Sequence, residues 1–339
     1  MANDLRVGVI GVGIMGADHA HRLAHRVSGA RLVAVSDPDA DRARDLAGQF
    51  DGVTSVADPL ELVASEGVDA VVIASPGFVH EDQVLACIEH GKPVLCEKPL
   101  TMDTESSLRV AEREAQAARP SVQVGFMRRF DPEYAEMKAL LDSGSLGRTV
   151  LVHNIHRNKV VPDSFRSEMI VRDSLVHEVD VSRWLFGEEI AEIQVLAPTP
   201  TTLAAEGVLD PQVALFTMAG GGIVTNEVFV NCQVGYEVRC EVVAERGSVT
   251  IGLGQGVLVR RENHYGGNVP DDFRLRFGRA YDLQFQAWVD ASRHGEVVGP
   301  TAWDGYAATA VCEAGLESLS SGRAVKVALA DRPGRAARA

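Results

Sequence analysis

Basic side chains are scarce in this sequence of 339 residues: 33 Lys and Arg against 47 Asp and Glu leave a formal charge of −14. A protein that grips nucleic acid through its phosphates needs a basic stripe, and none runs through this chain. The one locally basic stretch is Arg332, Arg335 and Arg338, set among Pro333, Gly334 and alanines. It reads as a frayed tail over residues 331–339. Cysteine is sparse too. Cys87, Cys96, Cys232, Cys240 and Cys312 form no CxxC pair and no zinc spacing, so free thiols in a reducing compartment are expected. No His/Asp/Glu cluster reads as a metal site. No uncharged apolar run is long enough to span a bilayer, and Met1–Asp4 leads straight into the strand-like Leu5–Ile10. The expectation is a cytoplasmic protein with no nucleic-acid partner, no membrane segment and no resident metal.

What is present is ordinary globular material in quantity. Apolar residues make up 46% and charged residues 24%, and the length suits two domains rather than one core. The first ~125 residues alternate β-branched runs with amphipathic stretches, the pattern of a parallel sheet wound with helices. Strands are predicted at Leu5–Ile10, Arg31–Ser36, Ala70–Ala74, Pro93–Cys96 and Val122–Gly125. Helices are predicted near Ile14–Arg26, Ala40–Gln49, Pro59–Ser65, Glu81–His90 and Thr104–Ala118. From about residue 145 longer period-two runs take over: Thr149–His156, Ala191–Leu196, Val213–Met218, Ile223–Val230, Glu237–Val243, Gly247–Ile251 and Val257–Arg260. Helices frame them at Pro132–Leu141, Val171–Phe186, Arg279–Arg293 and Ala302–Ser320. The predicted fold is α/β: an N-terminal Rossmann dinucleotide-binding domain (1–126), then a C-terminal α+β domain (127–330) with a large, mostly antiparallel, open-faced sheet.

Three motifs carry chemistry. Gly11-Val-Gly-Ile-Met-Gly16 follows a predicted strand and opens a predicted helix. Its glycines allow a tight turn and let a pyrophosphate approach free N–H groups at the helix start, with Ile14 and Met15 on the same loop. Asp37 ends the second strand, where a carboxylate accepts from a ribose 2′-hydroxyl and repels a 2′-phosphate, favouring NAD. Lys98, in Cys96-Glu-Lys-Pro99, ends a later parallel strand and points into the crevice where such sheets bind ligands. Pro99 stiffens its backbone. Ser75, Pro76, His80 and Glu97 are expected to border the cofactor. Asp173 and His177 are four apart and would share one face of a helix, with Asp180 and Trp184 continuing the stripe.

Gly11–Gly16, Cys96–Pro99, Gly125-Phe-Met-Arg-Arg-Phe-Asp131 and Arg172-Asp-Ser-Leu-Val-His-Glu-Val-Asp180 together resemble the glucose–fructose oxidoreductase/inositol dehydrogenase/rhizopine catabolism family. The likeness is greatest to its inositol 2-dehydrogenase branch and covers nearly the whole chain in order. The resemblance implies a catalytic trio of Lys98, Asp173 and His177. It implies Arg128, His156 and Tyr236 around a polyol, Met127 near the nicotinamide, and a dimer or tetramer. Tyr281, Asn154 and Lys159 are further candidates for the pocket. The expected reaction is NAD-dependent oxidation of a ring secondary alcohol to the ketone. In it His177 is the base, Asp173 its orienter and Lys98 the stabiliser of developing alkoxide charge. A relay ending on Lys98 fits equally. Alternatives are a pyranose or glycoside dehydrogenase using the same residues, an oxidoreductase that keeps its cofactor bound, and a non-enzymatic dinucleotide sensor.

Overall fold

A computed structural model describes residues 4–254 and 258–334. The chain divides into two compact units. The first comprises the residues through Met127, Tyr281–Thr309 and the segment from Ala330; the second comprises Arg128–Ala280 and Ala310–Leu329. The expected domain 127–330 is therefore not one body. Tyr281–Thr309 belongs with the dinucleotide unit because Phe285, Trp288 and Val289 pack into the core formed by Val7, Val9, Leu23 and Leu95. Burying one such side chain stabilises by about 1.5–3 kcal/mol, so these apolar residues set the allegiance of the segment.

In the first unit β1 (Leu5–Ile10), α1 (Ile14–His25), β2 (Ala30–Ser36), α2 (Ala40–Ala47), β3 (Thr54–Val56), α3 (Pro59–Ala64), β4 (Ala70–Ile73), α4 (His80–Glu89), β5 (Val94–Cys96), α5 (Thr104–Gln116) and β6 (Val122–Val124) alternate. The strands lie in the order β3-β2-β1-β4-β5-β6, and every pairing is parallel. Strands β4 and β5 are wholly buried, as covering on both faces requires. Asp39 and Asp103 cap α2 and α5 by accepting from the N–H groups of Arg42 and Ser106. The chain winds one way from β1 and the other from β4, so the carboxyl ends of these two neighbours make the crevice of a doubly wound sheet. Strand β3 escapes prediction because its side chains are half-buried or exposed and show no apolar run. The tail begins in order: Ala330 N–H donates to the Tyr306 hydroxyl, and the Arg332 guanidinium lies 5.8 Å from the Trp303 ring centroid. Residues 335–339 lie outside the described residues.

The second unit begins with α6 (Pro132–Asp142) and β7 (Thr149–Arg157). Next come the one-turn helix α7 (Ser167–Met169), a π-helical turn at Ile170–Leu175, and α8 (Val176–Phe186). The predicted single helix Val171–Phe186 is thus two kinds of winding. β8 (Ile190–Leu196), β9 (Gln212–Met218), β10 (Ile223–Phe229), β11 (Glu237–Ala244) and β12 (Gly247–Ile251) come after it. Then come β13 (Val259–Arg261), β14 (His264–Gly266), the helices α9 (Phe273–Arg293) and α10 (Ala302–Ser321), and β15 (Val325–Lys326). The expected strand Val257–Arg260 starts outside the described residues. The strand observed there, β13, pairs with β14 in a ladder of its own rather than with the main sheet. The division between the units falls within α9 and again within α10.

The main sheet runs β12-β11-β7-β10-β9-β8-β15. It is antiparallel except where β7 and β10 pair parallel. Burial alternates strictly along β9, β10 and β11, so one face is core and the other is only half covered. A Cβ at Gly315 on α10 would stand 2.9 Å from Val171 and 3.0 Å from Ile193. A glycine is needed there for the helix to seat.

Candidate active site

At the carboxyl edge of the first sheet each glycine of the loop has a separate steric reason. Gly11 has φ +83° and passes so close to β4 that a Cβ would lie 2.4 Å from the Ser75 nitrogen; at Gly16 a Cβ would meet the Gly11 carbonyl oxygen at 1.7 Å. Gly13 faces open space, with nothing within 4 Å of a Cβ, and it starts α1 without a side-chain cap. The first N–H groups of α1 are therefore presented to a ligand. Ile14, the first residue of α1, and Phe78, in the connection after β4, are each 75% exposed. These are apolar side chains at an edge where a bound ligand would cover them. Met15 is half-buried on the same turn.

Asp37 is 6% exposed. One oxygen accepts from the Val12 N–H at 2.8 Å; the other accepts from the Asp39 N–H and from Arg42 Nη2, both at 2.9 Å. Burial pushes its pKa up, but these donors and the Arg42 charge outweigh burial and lower it, so the carboxylate is charged. Arg42 carries no motif signal of its own. It sits in the first turn of α2, five residues beyond Asp37, and only the fold shows that it turns back.

After β4, the Ser75 hydroxyl donates to Gln83 Oε1 at 2.7 Å, and Pro76 is exposed. His80 is 1% exposed, behind the rim rather than on it. Its ring nitrogens lie 2.8 Å from the Ser75 carbonyl and 2.9 Å from the Pro99 carbonyl, with the Cys96 thiol 3.4 Å from Nδ1. Burial lowers its pKa. The ring ties the loops after β4 and β5 together.

Glu97 is 7% exposed, and its Oε1 is 2.8 Å from His19 Nε2 on α1. Burial alone would raise its pKa; the hydrogen bond and charge of His19, then the charge and N–H of Lys98, lower it instead. Gly125 makes room, since a Cβ there would come within 3.0 Å of Glu97 Oε2. Lys98 is next in the chain, half-buried, with its N–H donated to Glu97 at 3.2 Å and a cis bond to Pro99. Met127, 2% exposed, closes this unit's main segment.

The second unit gathers Arg128, His156, Tyr236 and His177, which are 1, 4, 7 and 7% exposed. Their common element is Glu178, fully buried and absent from the sequence-based site. Arg128 donates to its Oε1, while His156 Nδ1 lies 3.2 Å from its Oε2 and 3.3 Å from Arg128 Nη2. Burial works against the charge on Glu178. Arg128 and His156 overcome it and hold the pKa at about 2. Burial pushes the Tyr236 phenol up to about 12, so it stays a neutral donor. The ring of His156 is 6.3 Å from that of His177 and 5.8 Å from that of Tyr236, both edge-on.

Asp173 stands half-buried in the π-helical turn, with Arg172 Nε 3.6 Å from its carboxylate. His177 is the second residue of α8. The simple α-helical spacing that put both on one face is replaced by a wider winding, and such π turns recur at functional sites. Asp180 is fully buried and accepts from Arg129 Nε at 2.9 Å, while that guanidinium lies 5.9 Å from the Trp184 ring. It anchors the turn that carries Arg128 and Arg129. Asn154 donates to Asn226 at 2.9 Å, Lys159 reaches Asp271 at 2.7 Å, and Tyr281 packs beside His19 in the first unit. Among the described residues no group of three or more His, Cys, Asp or Glu could hold a metal ion.

A doubly wound parallel sheet with a glycine turn, an uncapped helix start and a charged aspartate ending β2 defines a dinucleotide-binding protein of the NAD type. Residues 5–126 match the family described as "Oxidoreductase family, NAD-binding Rossmann fold", and residues 134–250 match the "GFO/IDH/MocA C-terminal domain". The chain belongs to the Gfo/Idh/MocA oxidoreductase family. It is 55% identical to inositol 2-dehydrogenase 2 of Mycolicibacterium vanbaalenii, with 98% of each chain covered. It is 53% identical to inositol 2-dehydrogenase of Mycolicibacterium smegmatis, over 97% of this chain and 98% of that one. Among solved structures, the myo-inositol dehydrogenase of Lactobacillus casei in complex with NAD(H) and myo-inositol is similar with a TM-score of 0.94 at 34% identity, covering 97% of this chain and 98% of that one.

Proposed function

We propose that the chain oxidises a ring secondary alcohol of myo-inositol, or of a close isomer, to the ketone, with NAD as the electron acceptor. The observation that carries this reading is the buried cluster of Arg128, His156, Tyr236 and His177 around Glu178, a concentration of hydroxyl-binding groups in a chain built to hold NAD. The inositol dehydrogenase names of its relatives support the substrate class.

The cofactor site fits on this chain's own features: open space at Gly13, free N–H groups at the start of α1, and an ionised Asp37 to accept from the ribose. When bound, NAD supplies the acceptor for the two electrons and hydrogen leaving the carbinol carbon. His177 takes the alcohol proton. Asp173 orients its ring and favours the imidazolium. Lys98 donates to the reacting oxygen and lowers its pKa. His156 and Tyr236 hold ring hydroxyls, and Arg128 fixes His156 through Glu178. The half-covered face of the main sheet, with Ile223 36% exposed, is the surface through which we expect a dimer or tetramer to form. We place the protein in the cytoplasm.

The test is NADH formation with NAD or NADP across inositols, pyranoses and glycosides. Turnover of an inositol with NAD, lowered about 10²–10⁴-fold in His177→Ala, is the expected outcome. Turnover confined to pyranoses or glycosides would reassign the substrate. A Lys98→Ala protein with unimpaired turnover would overturn the mechanism.

A further inference from the structure

A recess of about 1270 Å³ lies in the first unit at the amino ends of its strands, the opposite edge from the glycine loop. Five arginines and three carboxylates line it. Arg6 and Asp69 satisfy each other at 2.8 Å. Arg31, Arg113, Arg119 and Arg293 remain, against Asp4 and Glu89. Among the described residues none of these four guanidiniums has an ion-pair or hydrogen-bond partner. The surplus of positive charge stands out in a chain of net charge −14.

Complementing helix dipoles explains part of this, because Arg113 and Arg293 lie in the last turns of α5 and α9, where cations are favoured. It does not explain Arg31 on β2 or Arg119 before β6. Two glycines leave room for the guanidiniums. A Cβ on Gly29 would stand 2.5 Å from Arg293 Nη1, and one on Gly295 would stand 2.9 Å from Arg119 Nη1. The lining also contains Ser121 and Ser292, 5 and 8% exposed, whose hydroxyls have no hydrogen-bond partner. Buried hydroxyls left unmatched are uncommon.

We propose that this recess binds a small organic polyanion carrying two or more phosphate or carboxylate groups. Guanidinium forks match both groups geometrically. More than one charge is required because a single anion at exposed arginines is screened by salt. This site is separate from the dinucleotide edge and independent of the substrate proposed above.

Titration calorimetry of the full chain tests it, with inorganic pyrophosphate and citrate as probes at constant ionic strength. Saturating NAD is present throughout, because pyrophosphate also suits the start of α1. The expected result is saturable binding of at least one probe, weakened tenfold or more in the Arg119→Ala/Arg293→Ala protein with NAD affinity unchanged. Tighter binding of pyrophosphate assigns a phosphate ligand, and tighter binding of citrate a carboxylate one. Absence of saturation with both probes, or equal affinity in the double variant, overturns the proposal.

Discussion

Asp37 in the first unit and Glu178 in the second are both carboxylates shut away from water and both kept charged, but by different means. Asp37 leans on the backbone: two N–H groups, Val12 and Asp39, with one half-exposed arginine added. Glu178 leans on side chains, a buried guanidinium and an imidazole contributed by residues 50 and 22 positions away. The backbone donors persist through any substitution except proline; the glycine loop sets the position of Val12, and the turn into α2 sets that of Asp39. Side-chain donors vanish with one codon. A charge held by backbone is therefore robust and one held by side chains brittle, although both depend on the tertiary fold, since Val12 lies 25 positions from Asp37.

The largest effect that would break this contrast is in the second unit. Glu178→Ala leaves Arg128 buried without its counter-charge, a loss of about 3–5 kcal/mol in stability. Urea unfolding should show it as a lower midpoint. A change below about 1 kcal/mol would mean that Arg128 finds another partner. Acid sharpens the same point. Glu178 has a folded pKa of about 2 against an ordinary 4.5, so the unfolded chain binds its proton more tightly. The stability it contributes is complete above pH ~4.5 and is lost as pH falls towards ~2, roughly 3 kcal/mol in all. The pH dependence of unfolding should flatten in that window for Glu178→Gln. If it does not, the charge of Glu178 is not what the cluster needs.

In the first unit the effect should appear in binding rather than folding. Asp37→Ala removes charged acceptors for ribose hydroxyls, each worth about 1.5–3 kcal/mol. The KM for NAD should rise about 10–100-fold while the KM for NADP falls, because Arg42 is released to meet a 2′-phosphate. An unchanged ratio of the two would remove Asp37 from the ribose. The smallest effect is expected for Arg42→Ala. It takes away one half-exposed partner and leaves both backbone donors, so stability should move by less than about 1 kcal/mol in thermal unfolding. A larger loss would place Asp37 in the same class as Glu178.

The contrast also explains what can be read from the sequence. The glycine loop, Asp37 and Lys98 obey local rules: a strand end, a turn, a fixed offset to the next element. Their strands are legible to within a residue or two because both faces of the sheet demand apolar runs. Arg42 and Glu178 stand in plain view beside motif residues, but nothing in composition says that Arg42 turns back on Asp37 five residues earlier, or that Glu178 turns inward to meet Arg128 and His156 tens of residues away. The parallel pairing of β7 with β10 is likewise illegible, since period-two alternation carries no direction. The allegiance of Tyr281–Thr309 depends on which apolar surface receives Phe285 and Trp288, a fact of packing rather than pattern.

The π-helical turn at Ile170–Leu175 makes the second unit sensitive to chain length in a way that no side-chain replacement would reveal. Its wider winding accommodates residues that an α-helix of the same rise would have to expel. Deleting one residue there, such as Ser174, lets the segment close into continuous α-helix while changing no chemistry elsewhere. A π turn holds about one residue more than an α turn, so the flanking helix keeps its direction and only the spacing inside the turn changes. Asp173 would then precede His177 by three positions instead of four, in an α-helix that advances about 100° per residue. In this stretch the spacing is itself an inherited trait, and a lineage that loses a codon here loses the alignment even with both residues intact.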